Sequence, residues 1–365
     1  MNISKRAKSV DSSGIRKVFD LAQKLSNPIN LSIGQPDFDV FEPLKNSAKK
    51  AIDDGKNQYT VTQGIEPLRA KIRHKFSITA TNNSDNEVMI TSGVSGGLLL
   101  SFMAVLDPSD EILIPDPFFC MYRDLAYLVN ASPVFYDTYP DFALNPEKIE
   151  KCITKKTKAI ILNSPANPTG HSFSAQELKD VIEIARRAGI WVIYDEIYDA
   201  FSYDFEHVTC YGSYENIIVL NGFSKSHGAT GWRIGYAVGP KTVIQEMLKI
   251  QQYTFVCAPS IVQHAMIDAL DCDLSDIKNT YKQKRDFVVN GLKDKFDIVK
   301  PNGAFYVFPK APSGTGQQFV EECIKNNILV VPGNVFSQID THFRISYAAP
   351  MRVLERGVEA LNKLV

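Results

Sequence analysis

The sequence predicts an α/β protein, a largely parallel sheet with crossover helices, followed by a small α+β segment. From about residue 87 to 238, short β-rich runs alternate with helical patterns. Most of these runs are continuously apolar rather than alternating, as strands covered on both faces are. After Gly239 the style changes to long helices and then a short mixed tail. At roughly 100 to 200 residues per domain, 365 residues make about two domains, or one large unit with a smaller partner.

The runs are 88–91, 111–114, 134–136, 159–162, 190–194, 217–220 and 235–238. Among the helices between them, Ser174-Ala175-Gln176-Glu177 has capping-box spacing ahead of Leu178, Val181, Ile182 and Ala185, and Gly189 closes the pattern. Helices are expected over 241–256, 259–270 and 275–295. The tail reads as a strand at 304–308, a helix at 317–325, strands at 328–331 and 343–346, and a final helix at 351–364. The first forty residues lack a sheet pattern of their own and are assigned to the tail.

Composition narrows the function classes. With 44% hydrophobic and 22% charged residues, disorder, collagen and coiled coil are poor readings. A net charge of -1 supplies no broad field for nucleic acid or an anionic membrane. The apolar run 98–106 is about half of the roughly 20 residues a spanning helix requires. Lys5, Arg6 and Lys8 are followed by no apolar stretch, so the start reads as neither signal peptide nor anchor. Six scattered cysteines without a CxxC pair suit reduced thiols in the cytoplasm, and the six histidines show no metal-ligand spacing.

In such sheets ligands bind at the carboxyl ends of the strands, and the residues there are unusually polar. Thr91-Ser92-Gly93-Val94-Ser95-Gly96-Gly97 is a glycine-rich turn into a helix. It suits a phosphate through free NH groups, or is simply a tight turn that needs glycine. Asn163-Ser164-Pro165-Ala166-Asn167-Pro168-Thr169-Gly170 is a loop whose X-Pro bonds could be cis, aiming Asn167 back at the sheet; a plain turn explains it equally. The run 190–194 delivers Asp195, Glu196 and Tyr198, either as site groups or as ordinary helix-start acids. Lys225 lies in the small-residue loop Asn221-Gly222-Phe223-Ser224-Lys225-Ser226-His227-Gly228, with Arg233 eight positions on. A lone lysine is usually a solvated surface charge, but one kept from water has a lowered pKa and can form a Schiff base. Jointly the four loops hold a phosphate cradle, a carboxylate, an amide, a phenol and an amine. That is the inventory of a pyridoxal phosphate site.

The segments SGIRKVFDLA, IGQPDFD, NQYTVTQGI, NSPANPTG, YDEIY, GFSKSHGATGWRIGY, NGAFYVFP and FRISYA occur in this order. With them the chain resembles, over nearly its whole length, the class I aminotransferases of the fold-type I pyridoxal phosphate enzymes. The resemblance implies a mostly parallel, seven-stranded large domain over 40–270 that carries pyridoxal 5'-phosphate. It further implies a small domain formed by 1–39 and 271–365, and a homodimer. Lys225 would form the Schiff base and shuttle the α proton, and Asp195 would pair with the ring nitrogen. Tyr198 and Asn167 would donate to the ring oxygen, and Phe119 would stack on the ring. Val94, Ser95, Ser224 and Arg233 would hold the phosphate, joined by Tyr59 from the other subunit. Arg344 would clamp the substrate carboxylate, with Asn167 and the Gly34 backbone.

Some positions depart from the family pattern. Gly222 stands where several relatives have a serine, and Ser95 stands where some aspartate-specific branches have a lysine. The stretch 251–255 lacks the arginine that other dicarboxylate-specific members carry. An aromatic or other apolar side chain is therefore expected in the substrate pocket, with Ile15, Tyr253 and Phe255 as candidate walls; packing explains those three equally well, and aspartate-like substrates stay open. The activity implied is ping-pong transfer of an amino group between an L-amino acid and a 2-oxo acid such as 2-oxoglutarate. A carbon-sulfur β-lyase on the same fold is the alternative. A non-catalytic sensor is disfavoured by the intact Lys225, Asp195 and Arg344, and a nicotinamide oxidoreductase by the absent dinucleotide fingerprint.

Overall fold

A computed structural model describes residues 3–10, 14, 25–78 and 84–365. Twelve strands occur among them: β1 Ile29–Asn30, β2 Asn86–Thr91, β3 Glu111–Asp116, β4 Ser132–Asp137, β5 Thr157–Asn163, β6 Trp191–Asp195, β7 Ile217–Gly222, β8 Gly235–Pro240, β9 Tyr306–Val307, β10 Ile328–Leu329, β11 Val331–Pro332 and β12 Phe343–Ser346. All seven runs expected from the sequence fall in one seven-stranded sheet, ordered β2-β8-β7-β6-β5-β3-β4. The pairs β3–β4, β3–β5, β5–β6 and β6–β7 are parallel. β8 runs antiparallel to both β2 and β7.

The continuous apolar runs follow from burial on both faces. Along β5, Ile161 packs in one core with Ile193, Ile218 and the helix Gly93–Val105. Ile160 and Leu162 pack in the other with Val192, Tyr194 and Val219. The helix Ala175–Ala188 has the reciprocal capping box of Ser174 and Glu177, and Gly189 ends it at φ +66°. That left-handed geometry is the one glycine adopts without steric cost.

Register decides what meets at the carboxyl edge. Asn163 pairs with Asp195 and Asp195 with Leu220, while Gly222 and Thr91 both pair with Gly235. The ends of β2, β5, β6 and β7 and the start of β8 therefore share one edge. Because β8 is antiparallel, Arg233 enters at the same edge as Lys225.

The tail departs from expectation in detail. The run 328–331 divides into β10, paired with β1, and β11, paired with β12, because its halves serve different partners. The strand expected at 304–308 shortens to β9, since Ala304 has φ +53°, outside strand geometry. The helix expected over 259–270 is α-helical only over Ser260–Ala265 and tightens to 3-10 turns over Met266–Asp271. Through β1, residues 29–30 join the tail, whereas the short helix Lys5–Lys8 packs against the helix Cys120–Leu128.

Candidate active site

One cavity of about 750 Å3 opens at the carboxyl edge of the sheet. Of the residues singled out from the sequence, it is lined by Gly34, Val94, Ser95, Phe119, Asn167, Asp195, Tyr198, Ser224, Lys225, Arg233 and Arg344. Tyr59 is not among them. It is 82% exposed and borders a separate groove with Ser92 and Phe255. The suggested walls Tyr253 and Phe255 also lie outside the cavity, Tyr253 being 90% exposed, because the helix Lys241–Thr254 ends away from it. The cavity's apolar walls are instead Val10, Leu98, Met121, Leu125 and Leu128. Ile15, the remaining candidate, lies outside the described residues.

At the end of β6 the Asp195 carboxylate accepts from the Tyr122 hydroxyl at 2.8 Å and from the Ile197 NH at 3.1 Å. Burial pushes its pKa up to about 6, against these donors. After β7, Lys225 Nζ donates to the Gly34 carbonyl at 2.8 Å. Burial, with Arg344 and Arg233 nearby, brings its pKa down to about 8. Gly34 thus offers Lys225 a carbonyl, a role the resemblance did not assign to it.

The phosphate-like end is built from close approaches. Gly93 begins its helix at φ +69°, and a Cβ there would stand 2.8 Å from the Arg233 guanidinium. A Cβ on Gly235 would stand 2.8 Å from Val94 N. The two glycines let β8 bring Arg233 against the helix N-terminus, where Ser92 makes no side-chain cap. The first NH groups of that helix have no intrahelical acceptor and lie at its positive end.

Arg344 on β12 is 1% exposed. It donates to Asn167 Oδ1 at 2.9 Å and to the Ser32 carbonyl at 2.8 Å, and its Nε has no partner. Burial holds its pKa below the usual arginine range. Its guanidinium lies 4.5 Å from the centre of the Tyr306 ring, and the Tyr306 and Tyr198 hydroxyls share a hydrogen bond of 2.9 Å. The loop bonds Ser164-Pro165 and Asn167-Pro168 are both cis, and the Asn167 NH donates to Asn163 Oδ1 at 2.9 Å.

Tyr122 and Tyr306 were missed by the sequence reading. Tyr122 follows Phe119 by three residues and Tyr306 sits within NGAFYVFP, but neither position carries a periodic signal of its site.

The charges lining the cavity do not balance. Lys225, Arg233 and Arg344 face Asp195 and Asp124, and Asp124 is tied to Arg123 at 2.9 Å. The hydrogen bonds of Lys225, Arg233 and Arg344 go to carbonyl groups, none to a carboxylate among the described residues. These groups fit a phosphate ester at the helix end, a cationic ring nitrogen at Asp195 and a carboxylate at the Arg344 guanidinium. Pyridoxal phosphate with an amino acid substrate has these groups.

Comparison with known proteins agrees. Residues 26–361 match the family of class I and II aminotransferases. A probable aspartate aminotransferase of Methanocaldococcus jannaschii is 38% identical over 375 residues, covering 99% of each chain. Aromatic-amino-acid aminotransferase 2 of Thermococcus litoralis is 34% identical over 383 residues, covering 100% of this chain and 98% of its own. The solved structure of aspartate aminotransferase from Thermus thermophilus with maleate has a TM-score of 0.94 at 29% identity and covers 100% of both chains. With the cavity's donor set and these similarities together, the chain belongs to the class I and II aminotransferases and is a pyridoxal 5'-phosphate-dependent aminotransferase.

Proposed function

We propose that the enzyme transfers the amino group of an L-amino acid with an aromatic or other apolar side chain to a 2-oxo acid such as 2-oxoglutarate, in two half-reactions at one site. The observation that carries the reading is the convergence of Lys225, Asp195 and Arg344 on one cavity that Val10, Leu98, Met121, Leu125 and Leu128 also line.

Pyridoxal 5'-phosphate, when bound, supplies the electron sink for the negative charge that develops at the amino acid's α carbon. Lys225 would anchor it, Asp195 would hold the proton of the ring nitrogen, and Tyr198 and Asn167 would donate to the ring oxygen. The NH groups of Val94 and Ser95, with Ser224 and Arg233, would hold the phosphate, and Phe119 would cover the ring. An amine with a pKa of about 8 is in part unprotonated near neutrality, so Lys225 can take a proton from the α carbon and return it. Arg344 would hold the α-carboxylate and Asn167 would orient Arg344 through its Oδ1.

Substrate choice follows from what is left after these assignments. Lys225, Arg233 and Arg344 are each committed, and no further cation of the described residues lines the cavity. Val10, Leu98, Met121, Leu125 and Leu128 favour an apolar side chain over a second carboxylate. The relatives named for aspartate make that amino acid the second reading. Further parts of the proposal are the division into 40–270 and a small domain of 1–39 with 271–365, and a homodimer in which exposed Tyr59 reaches the other subunit's phosphate. Six scattered cysteines without a CxxC pair support the cytoplasm as its location, and no helix of the described residues is long and apolar enough to cross a membrane.

The test is the visible spectrum of the holoenzyme during titration with L-phenylalanine and, separately, L-aspartate. Phenylalanine is expected to bleach the cofactor band at lower concentration, with 2-oxoglutarate restoring it. A stronger response to aspartate would overturn the substrate assignment, and indifference to both would overturn transamination of these amino acids.

A further inference from the structure

Asn163 lines the cavity, yet the roles above leave it without one. It ends β5 and is 4% exposed. Its side-chain amide meets main chain at both ends. Nδ2 donates to the Asp195 carbonyl at 2.9 Å, and Oδ1 accepts from the Asn167 NH at 2.9 Å. A carbonyl only accepts and an NH only donates, so the two partners fix which end of the amide is which.

We propose that Asn163 is a positioning residue, a brace that sets the spacing between Asp195, which would hold the nitrogen of the cofactor ring, and Asn167, which would hold the ring oxygen. The inference rests on the roles proposed above for Asp195 and Asn167.

The need for a brace follows from where the sheet stops. Asn163 and Asp195 are the last paired residues of β5 and β6. Beyond them the chain runs Ser164-Pro165-Ala166-Asn167-Pro168, and the two prolines have no NH to offer. The Ser164 NH donates to the Asp195 carbonyl at 3.1 Å, but the Ala166 NH turns away to the His171 carbonyl at 2.8 Å. The tie between Asn167 and the end of β6 that the ladder no longer supplies is supplied by the Asn163 side chain.

Both braced residues keep polar atoms for a ligand. The Asp195 and Asn167 side chains line the cavity. Asn167 Oδ1 is taken by Arg344 at 2.9 Å, which leaves its Nδ2 as the donor to a ring oxygen. A pyridine ring is rigid, so its nitrogen and its oxygen lie at a fixed separation. The two protein groups that hold them must keep that separation to within about 0.5 Å. Without the Asn163 amide the loop of Asn167 is free to shift along β6, and the ring then fits one partner at the expense of the other.

The experiment starts from the full-length holoenzyme, removes the cofactor and measures the dissociation constant on adding back three compounds, in wild type and in Asn163→Ala. The compounds are pyridoxal 5'-phosphate, its 1-deaza analogue, which lacks the ring nitrogen, and its 3-deoxy analogue, which lacks the ring oxygen. Asn163→Ala is expected to weaken pyridoxal 5'-phosphate roughly tenfold, the worth of a net hydrogen bond. For each analogue the loss is expected to shrink to roughly threefold, because one of the two braced contacts no longer exists and the effects are not additive. An equal loss for all three compounds would reduce Asn163 to a packing role, and an unchanged constant for pyridoxal 5'-phosphate would remove the brace. Wild type tests the reading beneath. If it binds either analogue as tightly as pyridoxal 5'-phosphate, the role of Asp195 or of Asn167 falls and the brace with it. If wild type discriminates against both analogues and Asn163→Ala discriminates equally, the brace alone is overturned. Should Asn163→Ala fail to fold, Asn163→Leu keeps the volume of the amide, loses both bonds and carries the same expectations.

Discussion

The turn that follows β6 has two faces, built from adjacent residues and opposite in their charge economy. On the cavity face stand Asp195 and Tyr198, near three cations whose hydrogen bonds go only to carbonyl groups. On the far face stand Glu196 and Asp199. Asp199 accepts from Lys75 and from Asn221, each at 2.9 Å, and Glu196 meets His207 at 2.9 Å. Burial alone would raise the Asp199 pKa, but Lys75 and His207 outweigh it and hold the carboxyl below the usual range. On the cavity face burial wins: Asp195 goes up and Lys225 comes down. The fold neutralises its ions where they hold the turn and leaves them uncompensated where ligands must bring the missing charge.

Substitutions on each face can break that contrast. Arg344→Met keeps most of the volume and removes the charge. It should cost about 2 to 5 kcal/mol in kcat/KM, as losing one partner of a buried, hydrogen-bonded charge pair does. Its urea midpoint should be no lower than wild type, because a buried cation with no carboxylate partner among the described residues is gone. A fall in stability with unchanged kinetics would reverse the assignment of the faces.

The cavity face should also show itself in the pH dependence of the apoprotein. Lys225 has a folded pKa of about 8 against 10.5 for a free lysine, so between these values the unfolded chain binds more protons. Stability therefore rises with pH through that window. Buried tyrosines contribute with the opposite sign, so the quantity to follow is wild type minus Lys225→Met. That difference should grow in favour of wild type from about pH 8 to 10.5 and be flat below it. A flat difference throughout would mean that Lys225 is an ordinary lysine.

Asp199→Asn addresses the far face. It removes the anion that Lys75 and Asn221 share and should lower stability by about 1 to 3 kcal/mol, the cost of leaving buried hydrogen-bonding groups poorly partnered. KM for the amino acid should be nearly unchanged. Ser174→Ala, in the capping box remote from both faces, should cost about 1 kcal/mol of stability and leave the kinetics alone. A larger kinetic than structural effect at Asp199 would show that the two faces are coupled.

Much of this was legible in the sequence, for identifiable reasons. All seven strands of the main sheet stood out because double-sided burial makes them continuously apolar, and their carboxyl ends located Asp195, Asn167 and Lys225. The antiparallel course of β8, which brings Arg233 to the same edge, depends on pairing and has no compositional mark. Arg344 and Gly34 entered only through resemblance, since both lie in the tail or the first forty residues and meet the site through tertiary packing. Tyr122 and Tyr306 were invisible because their partners are 73 and 108 residues away. Tyr253 and Phe255 do not line this chain's cavity, and an aromatic cluster at a helix end reads the same in the sequence whether it faces a cavity or solvent.

In the proposed function, Lys225 is the amine left uncompensated for the cofactor. Borohydride reduction of the holoenzyme followed by proteolysis and mass spectrometry tests this directly. A reduced cofactor adduct is expected on the peptide that contains Lys225 and on no other. An adduct on a different lysine, or none despite bound cofactor, would contradict it.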